Sequence, residues 1–360
     1  MSSDGGSPYS PDWVASRPNE DMGHPISYKV SSSVTVAAKF LVPSGSAGTV
    51  KVRGSGGGLT FPEQQCPVSS GSCPYTGSAS GTLGSTISNG ALSIQWEYSV
   101  NNGSWSAVAG GQNQDGTSSN KVYLTLLGQG GRETLLDVAC RGNNGNDGSD
   151  KQTVLNGIWS VYASEMPAGV AAVKGDTLKY WPNGYATGEY FTTDQLLTYK
   201  AGRCGAWADF FKDANAVQTI TARELDVNPS RNAPPTQDMI NQGIIIVMTD
   251  KNGDRRGLVV NSNLDGQGNP NPPNAFSRNS HALGYVSEQA PNTIYDPSYG
   301  YATPAGITSL DAAKIKWEDH AVSGVYTWYQ NNAGTMQTKA TTPFGTGLWP
   351  DGSRMVVWSP

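Results

Sequence analysis

From about residue 26 to residue 130, hydrophobic and polar residues alternate over short segments, as they do in β-strands. Alternating or β-branched segments lie at 33–38, 49–52, 92–98 and 121–126. Turn sequences such as Asn-Asn-Gly at 101–103 separate them. Short strands at regular spacing, with no helical pattern between them, are typical of two packed antiparallel sheets. We therefore predict an all-β sandwich over this stretch.

The pattern changes near residue 131. Apolar residues at helical spacing predict helices at 133–140 and 153–162, from residue 204 onward, and at 310–317. Apolar and β-branched runs predict strands at 243–248, 257–260, 281–286, 292–295, 325–328 and 355–358. A loop rich in Asn, Gly and Pro occupies 261–280. Because helices come first and strands follow, the pattern indicates an α+β domain.

The chain therefore divides into three predicted regions. Residues 1–25 are polar and proline-rich and are expected to form an extended arm. Residues 26–130 are expected to form a sandwich of the immunoglobulin-like type, and residues 131–360 the α+β domain. The sandwich carries no catalytic constellation, so we interpret it as a spacer or as a module that binds a partner or substrate.

Composition and charge narrow the classes of partner. The net charge is −5 and no cluster of Lys or Arg stands out, which argues against nucleic acid and against an anionic membrane surface. No run approaches the roughly 20 apolar residues that span a bilayer. Charged residues make up only 15%, with 44 glycines, a composition common in exported proteins. We expect a secreted or cell-surface protein, although the opening residues MSSDGG lack the apolar segment of a signal peptide.

The four cysteines fall into two groups. Cys66 and Cys73 flank a loop of Pro, Val, Ser and Gly, and are candidates for a disulfide. Cys140 and Cys204 stand in different contexts. A bridge between those two is an alternative, but Cys140 has the pattern of an ordinary buried helical cysteine.

Cys204 lies in the segment AGRCGAWADFF at 201–211. The helical pattern begins at the cysteine, with Trp207, Phe210 and Phe211 on one face. The thiol is therefore expected in the first turn of a buried helix, where backbone N–H groups favour a thiolate. Arg203 adds positive charge beside it, and flanking glycines leave room for a substrate backbone.

A thiolate nucleophile usually works with an imidazole, and the chain has only three histidines. His24 lies in the polar arm, and His320 in a segment expected to be a solvated helix end. His281 opens one predicted strand, and Asp296 closes the next after a short loop. Antiparallel pairing would put these two side by side, so that Asp296 could orient the His281 ring.

Together, GRCGAWA at 202–208, a later histidine on a strand, and Tyr-Asp-Pro at 295–297 resemble the transglutaminase-like superfamily. The cysteine segment is especially similar to that of peptide:N-glycanases. The resemblance covers about residues 131–300. It implies a papain-like α+β core, a triad of Cys204, His281 and Asp296, and thiol chemistry at an amide carbonyl.

Several features depart from the family pattern. The distance from Cys204 to His281 is long, which predicts an insertion at about 226–278. Ala282 stands where many members have an aromatic residue. The chain has no Cys-x-x-Cys zinc pair, which argues against glycanase activity. The resemblance also implies an upstream Trp or Gln as an oxyanion donor, and Trp181 and Gln195 are the candidates, beside the backbone N–H of Cys204.

No cofactor is expected. Asn and Asp residues at 250–254 and at 143–150 resemble calcium loops, but neither stretch has the twelve-residue ligand pattern with a closing Glu. Three histidines and no Cys-x-x-Cys argue against zinc.

We expect a thiol enzyme that acts on a protein or peptide amide through a Cys204 thioester. The shared residues leave protease, amidase, glutamine deamidase and transglutaminase open, because these differ in the pocket. The alternative is a non-catalytic surface or adhesion module with a vestigial triad.

Overall fold

The computed structural model describes residues 3–6, 25–42, 48–67, 71–109, 116–180, 191–229, 244–249, 255–256, 281–330, 336–343, 348, 352–354 and 356–359. The chain divides into two compact units, residues 1–150 and residues 151–360. None of the helices within these described ranges has both the length and the apolar character to cross a lipid bilayer.

The described part of the first unit forms eight strands and one helix. These are β1 (Ile26–Lys29), β2 (Thr35–Leu41), β3 (Thr49–Gly56), β4 (Leu59–Pro67), β5 (Ser72–Ser78), β6 (Ser88–Val100), β7 (Ser106–Ala107), β8 (Thr117–Thr125) and α1 (Glu133–Arg141).

The strands of this unit make two sheets around one core. The larger sheet has the order β1-β8-β6-β3-β4, with β7 paired to β6, and β2 pairs with β5 in the smaller one. Trp96, on β6, contacts Phe40 and Tyr75 of the smaller sheet, each at a ring-centroid distance of 5.3 Å. The two sheets therefore face each other across an apolar interior, because strand alternation turns one side of each sheet inward. An immunoglobulin-like type stays a prediction.

A disulfide joins Cys66, on β4, to Cys73, on β5. Both cysteines are buried in the core between the two sheets. The bridge closes the short connection between these strands and so constrains the unfolded chain.

Helix α1 lies in the first unit, whereas the sequence pattern placed residues 131–150 with the second. Its Asp137 accepts hydrogen bonds from Asn89 Nδ2 at 3.3 Å and from the Tyr123 hydroxyl at 3.4 Å. Its Cys140 is fully buried, with Sγ 3.7 Å from the carbonyl oxygen of Leu124. The change from strand to helical periodicity marks where the strands end, and the helix still packs on β6 and β8.

The N-terminal residues cap this helix. Arg132, the N-cap of α1, makes no side-chain cap. Instead Asp4 accepts hydrogen bonds from the backbone N–H of Thr134 at 3.0 Å and from its hydroxyl at 2.7 Å. A first-turn N–H group is thus satisfied by a carboxylate 130 residues away in sequence.

The described part of the second unit contains four helices and twelve strands. These are α2 (Lys151–Glu165), β9 (Val170–Ala171), β10 (Thr177–Tyr180), α3 (Thr193–Tyr199), β11 (Ala201–Gly202), α4 (Cys204–Val217), β12 (Arg223–Pro229), β13 (Ile244–Thr249), β14 (Arg255–Arg256), β15 (His281–Val286), β16 (Ala290–Asp296), β17 (Tyr301–Ala302), α5 (Leu310–Ala321), β18 (Val322–Gln330), β19 (Met336–Pro343) and β20 (Val356–Ser359).

A five-stranded sheet of order β17-β16-β15-β12-β20 organises this unit, with β12, β15 and β16 antiparallel. A second sheet has the order β14-β13-β18-β19, and a small one the order β11-β10-β9. Helix α4 packs on β15 through its apolar face. A Cβ atom on Gly284 would meet the Phe211 ring at 2.5 Å, so the helix approaches the strand too closely for any side chain there.

The predicted helices at 133–140, 153–162, from 204 and at 310–317 are confirmed, and α1, α2 and α5 are longer than predicted. Helix α3 and strand β12 were not predicted. Residues 226–229 of the stretch expected to carry an insertion belong to β12, which pairs with both β15 and β20; the insertion itself stays a prediction. The predicted strand at 257–260 and the loop at 261–280 lie outside the described residues.

Candidate active site

Cys204 is the first residue of α4, and Arg203 is the N-cap. The first turn of the helix contains no acidic side chain, so its partial positive charge is not offset locally. The thiol is partly exposed, whereas the helix behind it is buried at Trp207, Phe210 and Phe211. The sulfur is therefore accessible, while the buried helix holds it in a fixed position.

The turn into α4 is tightly packed. A Cβ atom on Gly202 would lie 2.8 Å from the Cβ of Ala206 and 3.1 Å from Cδ1 of Leu196. Helix α3 is tied to α4 where Asp209 accepts the backbone N–H of Thr193 at 2.9 Å. The glycine of the GRCG segment therefore lets β11, α3 and α4 meet, which fixes the position of Cys204.

His281 and Asp296 come from neighbouring antiparallel strands. His281 begins β15 and Asp296 ends β16, so both lie at the same edge of the pair. The Nε2 atom of His281 donates to Oδ2 of Asp296 over 3.0 Å. The exposed fraction is 9% for His281 and 1% for Asp296, so little solvent competes for this hydrogen bond.

The other side of the imidazole meets the thiol. His281 forms a side-chain hydrogen bond with Cys204. Since Nε2 is engaged by Asp296, the nitrogen that faces the sulfur is Nδ1. Helix α4, strand β15 and strand β16 thus bring the three predicted triad residues together.

The electrostatics of this group favour a protonated imidazole. Burial alone lowers the pKa of His281, but the carboxylate of Asp296 and the sulfur of Cys204 outweigh it and raise the pKa to about 10. An imidazolium at neutral pH is the natural partner of a thiolate. The arrangement can therefore hold a nucleophilic sulfur and a proton donor side by side.

Aromatic rings hold the imidazole in its plane. Trp317, from α5, stacks on His281 with centroids 5.9 Å apart and planes inclined by 16°. Tyr299 lies against His281 at 5.4 Å. The indole of Trp358 packs edge-on against Trp317 at 5.4 Å, and its N–H donates to Glu318 over 2.6 Å. A tryptophan face next to an imidazolium adds a favourable cation–π contact.

A tyrosine also borders this group. Tyr180, the last residue of β10, pairs with Gly202 in a parallel register. Its ring packs edge-on against Tyr299 at 5.2 Å, and the two side chains share a hydrogen bond. Burial, then Tyr299, then Cys204 raise the pKa of Tyr180 well above its usual value, so the hydroxyl stays protonated beside the sulfur.

The predicted oxyanion candidates have different outcomes. The Oε1 atom of Gln195 accepts the backbone N–H groups of Phe191 at 2.8 Å and Thr192 at 3.2 Å, in a capping box that starts α3. That oxygen therefore serves the helix. Trp181 lies outside the described residues. Arg203 lies over the ring of Phe191, 5.4 Å from its centroid, and its effect on the thiolate stays a prediction.

The alternative partners within the described residues are engaged elsewhere. Neither Cys140 nor Cys204 forms a disulfide. His320 stacks on Tyr301 with centroids 3.7 Å apart at the end of α5. His24 lies outside the described residues. Of the two histidines within the described residues, it is His281 that meets the thiol.

The described ranges hold no group of three or more His, Cys, Asp or Glu side chains placed to bind a metal ion. In the stretch 143–150, Asp147 accepts the backbone N–H of Ser149 at 2.9 Å, and Asn146 accepts that of Gly148 at 2.9 Å. These oxygens stabilise local turns. Residues 250–254 lie outside the described part of the chain.

Sequence reasoning missed three side chains of this site: Tyr180, Tyr299 and Trp317. None stands in a motif with the cysteine or the histidine. The only local signals were the position of Tyr180 next to Trp181 and that of Tyr299 three residues after Asp296.

Comparison of the chain with protein-family models found no match, and a search of curated proteins found none either.

Proposed function

We propose that this protein is a transglutaminase-like thiol enzyme that acts on amide carbonyls through a thioester at Cys204. The observation that carries this proposal is the placement of the His281 imidazole. One nitrogen meets a thiol at a helix N-terminus, and the other donates to a buried carboxylate at 3.0 Å. A thiol nucleophile, an imidazole base and a carboxylate that orients the imidazole are the catalytic groups of cysteine hydrolases and acyltransferases.

The mechanism follows from the groups in place. The Cys204 thiolate attacks the amide carbon, and a C–S bond forms. The His281 imidazolium then gives its proton to the leaving nitrogen as the C–N bond breaks. The neutral imidazole next accepts a proton from water or from an amine that attacks the thioester, the C–S bond breaks, and the thiolate and imidazolium are restored. Asp296 keeps the ring oriented and stabilises its charged form.

The order of elements supports a papain-like α+β core for this unit. Helices α2, α3 and α4 precede an antiparallel sheet, the cysteine begins a helix, and the histidine and aspartate lie on adjacent strands. The two facing sheets of the first unit support an immunoglobulin-like sandwich, which we propose binds a partner or substrate. The low charged fraction and the Cys66–Cys73 disulfide support a secreted or cell-surface location.

We propose a protein or peptide substrate. The choice between hydrolysis and transfer is tested by incubating the protein with unfolded casein in the presence and absence of a fluorescent primary amine. Ammonia release with neither cleavage nor amine incorporation indicates a glutamine deamidase, incorporation of the amine a transglutaminase, and new peptide fragments a protease. Cys204→Ala is the matched control, because it removes only the sulfur.

Intact-mass measurement with a panel of activated acyl donors gives a readout that does not depend on the choice of substrate. The proposal predicts a covalent acyl adduct on Cys204 that forms in the wild type and fails to form in Cys204→Ala. A wild-type protein that acquires no adduct at Cys204 from any donor would contradict a thioester mechanism and favour a non-catalytic module.

A further inference from the structure

Attack of a thiolate on a carbonyl carbon places a negative charge on the carbonyl oxygen, which needs hydrogen-bond donors. The backbone N–H of Cys204 is one donor, by its position at the start of α4. Of the side-chain candidates, Gln195 is held at the start of α3 by its capping box, and Trp181 lies outside the described residues. A second donor near the turn before Cys204 would complete the oxyanion site.

Resting on the function proposed above, we propose that the phenolic hydroxyl of Tyr180 is this donor, and that Tyr180 is a catalytic residue which stabilises the oxyanion formed at Cys204.

The strand register places Tyr180 where such a donor is needed. β10 runs parallel to β11, with Tyr180 opposite Gly202. The chain reaches Cys204 only two residues beyond Gly202. Tyr180 is half-buried whereas Leu178 on the same strand is fully buried, so the tyrosine lies where the strand leaves the core. A phenol at this edge is held by packing beside the turn that carries Cys204.

Two aromatic contacts connect the phenol to the triad. The Tyr180 ring lies 5.2 Å from Tyr299, and the Tyr299 ring lies 5.4 Å from His281. Tyr299 is itself fixed, because its backbone N–H donates to the carbonyl oxygen of Asp296 at 3.2 Å. Tyr180 therefore belongs to the same rigid group as His281 and Asp296, as a donor at a developing charge must.

The protonation state of Tyr180 fits a donor role. Its side chain shares a hydrogen bond with that of Tyr299. The strongly raised pKa of Tyr180 means that its hydroxyl stays neutral over the working pH range and does not repel an anion.

The test separates two reactions of the same sulfur. Iodoacetamide alkylates Cys204 by displacing iodide, and no oxyanion forms. p-Nitrophenyl acetate acylates it through a tetrahedral oxyanion, after which the C–O bond breaks and p-nitrophenolate leaves. Both rates would be measured at pH 7, with the modified cysteine located by mass spectrometry and with Cys204→Ala as the background.

We expect Tyr180→Phe to keep its alkylation rate within about twofold of wild type and to lose roughly 100-fold in acylation rate, the usual effect of one oxyanion donor. The matched control is Tyr295→Phe. It also removes the hydroxyl of a buried tyrosine, but its ring packs on Phe211 and Trp159, one residue before Asp296 and on the other face of the strand. Both of its rates should stay at the wild-type value.

The other possible results of this experiment contradict the proposal in different ways. Equal loss of both rates in Tyr180→Phe would overturn the proposal, because the phenol would then support the thiolate and not the oxyanion. An unchanged acylation rate would also overturn it, as would a larger selective loss in Tyr299→Phe, which would move the role to the partner. If wild-type Cys204 reacts with neither reagent, the proposed function itself fails. Alkylation of Tyr180→Phe at the wild-type rate shows that the variant is folded.

Discussion

The Nε2 atom of His281 lies 3.0 Å from the Oδ2 atom of Asp296, although 15 residues separate them in sequence. The antiparallel hairpin of β15 and β16 creates this contact, since it returns the chain to the edge from which it began. The carboxylate is almost completely buried, at 1% exposed. An ionised carboxylate in such a place needs a cationic partner, and the imidazolium of His281 supplies it.

Replacement of Asp296 by Asn should slow the reaction of Cys204. Asn keeps the shape of the side chain but removes the charge that stabilises the imidazolium, so the pKa of His281 should fall. We expect the iodoacetamide rate at pH 6 to drop by about tenfold or more. Asp311→Asn is the control, because its side chain is 90% exposed in the first turn of α5. Equal rates in wild type and Asp296→Asn would show that the carboxylate does not support the thiolate.

The raised pKa of His281 should also make stability depend on pH. A histidine whose pKa rises from its ordinary 6.5 to about 10 on folding stabilises the folded state fully below about pH 6.5. That stabilisation is lost as the pH rises through 10. The melting temperature of wild type should therefore exceed that of His281→Gln at pH 6.5, and the difference should shrink by pH 10.5. A difference that grows with pH would mean that the histidine is buried in its neutral form.

Gly284→Ala should destabilise the second unit. The new Cβ atom would meet the Phe211 ring at 2.5 Å, so helix α4 must move away from β15. Overpacking of this kind costs about 1–3 kcal/mol. The matched control is Gly90→Ala. Gly90 lies in a strand of the first unit, and a Cβ atom there would have nothing within 4 Å, so this variant should change stability little. Calorimetric melting of the two variants measures the difference, and equal effects would argue against the close approach of α4 and β15.

Removal of the disulfide should affect the first unit alone. The double variant Cys66→Ser, Cys73→Ser removes the bridge between two residues that are seven positions apart in sequence. Loop-closure entropy for so short a loop gives a loss of about 2 kcal/mol. The melting transition of the first unit should shift downward, while Cys204 keeps its alkylation rate. A change in that rate would mean that the bridge influences the site.

Sequence patterns predicted the parts of this structure that depend on local periodicity. The apolar face of α4 and the flanking glycines marked the helix that begins at Cys204. The short connection between two apolar runs marked the β15–β16 pairing, and with it the meeting of His281 and Asp296. In each case neighbouring residues in sequence determine the geometry, so the pattern is sufficient.

The rest depends on contacts between residues distant in sequence, which periodicity does not report. β12 has only seven residues and was not predicted, yet it pairs with β15 on one side and with β20 on the other. The cap that Asp4 provides for α1 joins residues 130 positions apart. Tyr180 approaches the site only because β10 pairs with β11, and no motif records that pairing.

The most direct test of the central claim is the rate of iodoacetamide alkylation of the native protein from pH 4 to pH 9, with the modified cysteine located by mass spectrometry. We predict rapid alkylation of Cys204 already at pH 5–6, and a large loss of that rate in His281→Ala, whose profile should follow that of an ordinary thiol, with half-maximal rate near pH 8.5. Alkylation of wild-type Cys204 with the profile of an ordinary thiol, or no alkylation at all, would contradict the thiolate–imidazolium pair and with it the enzymatic account.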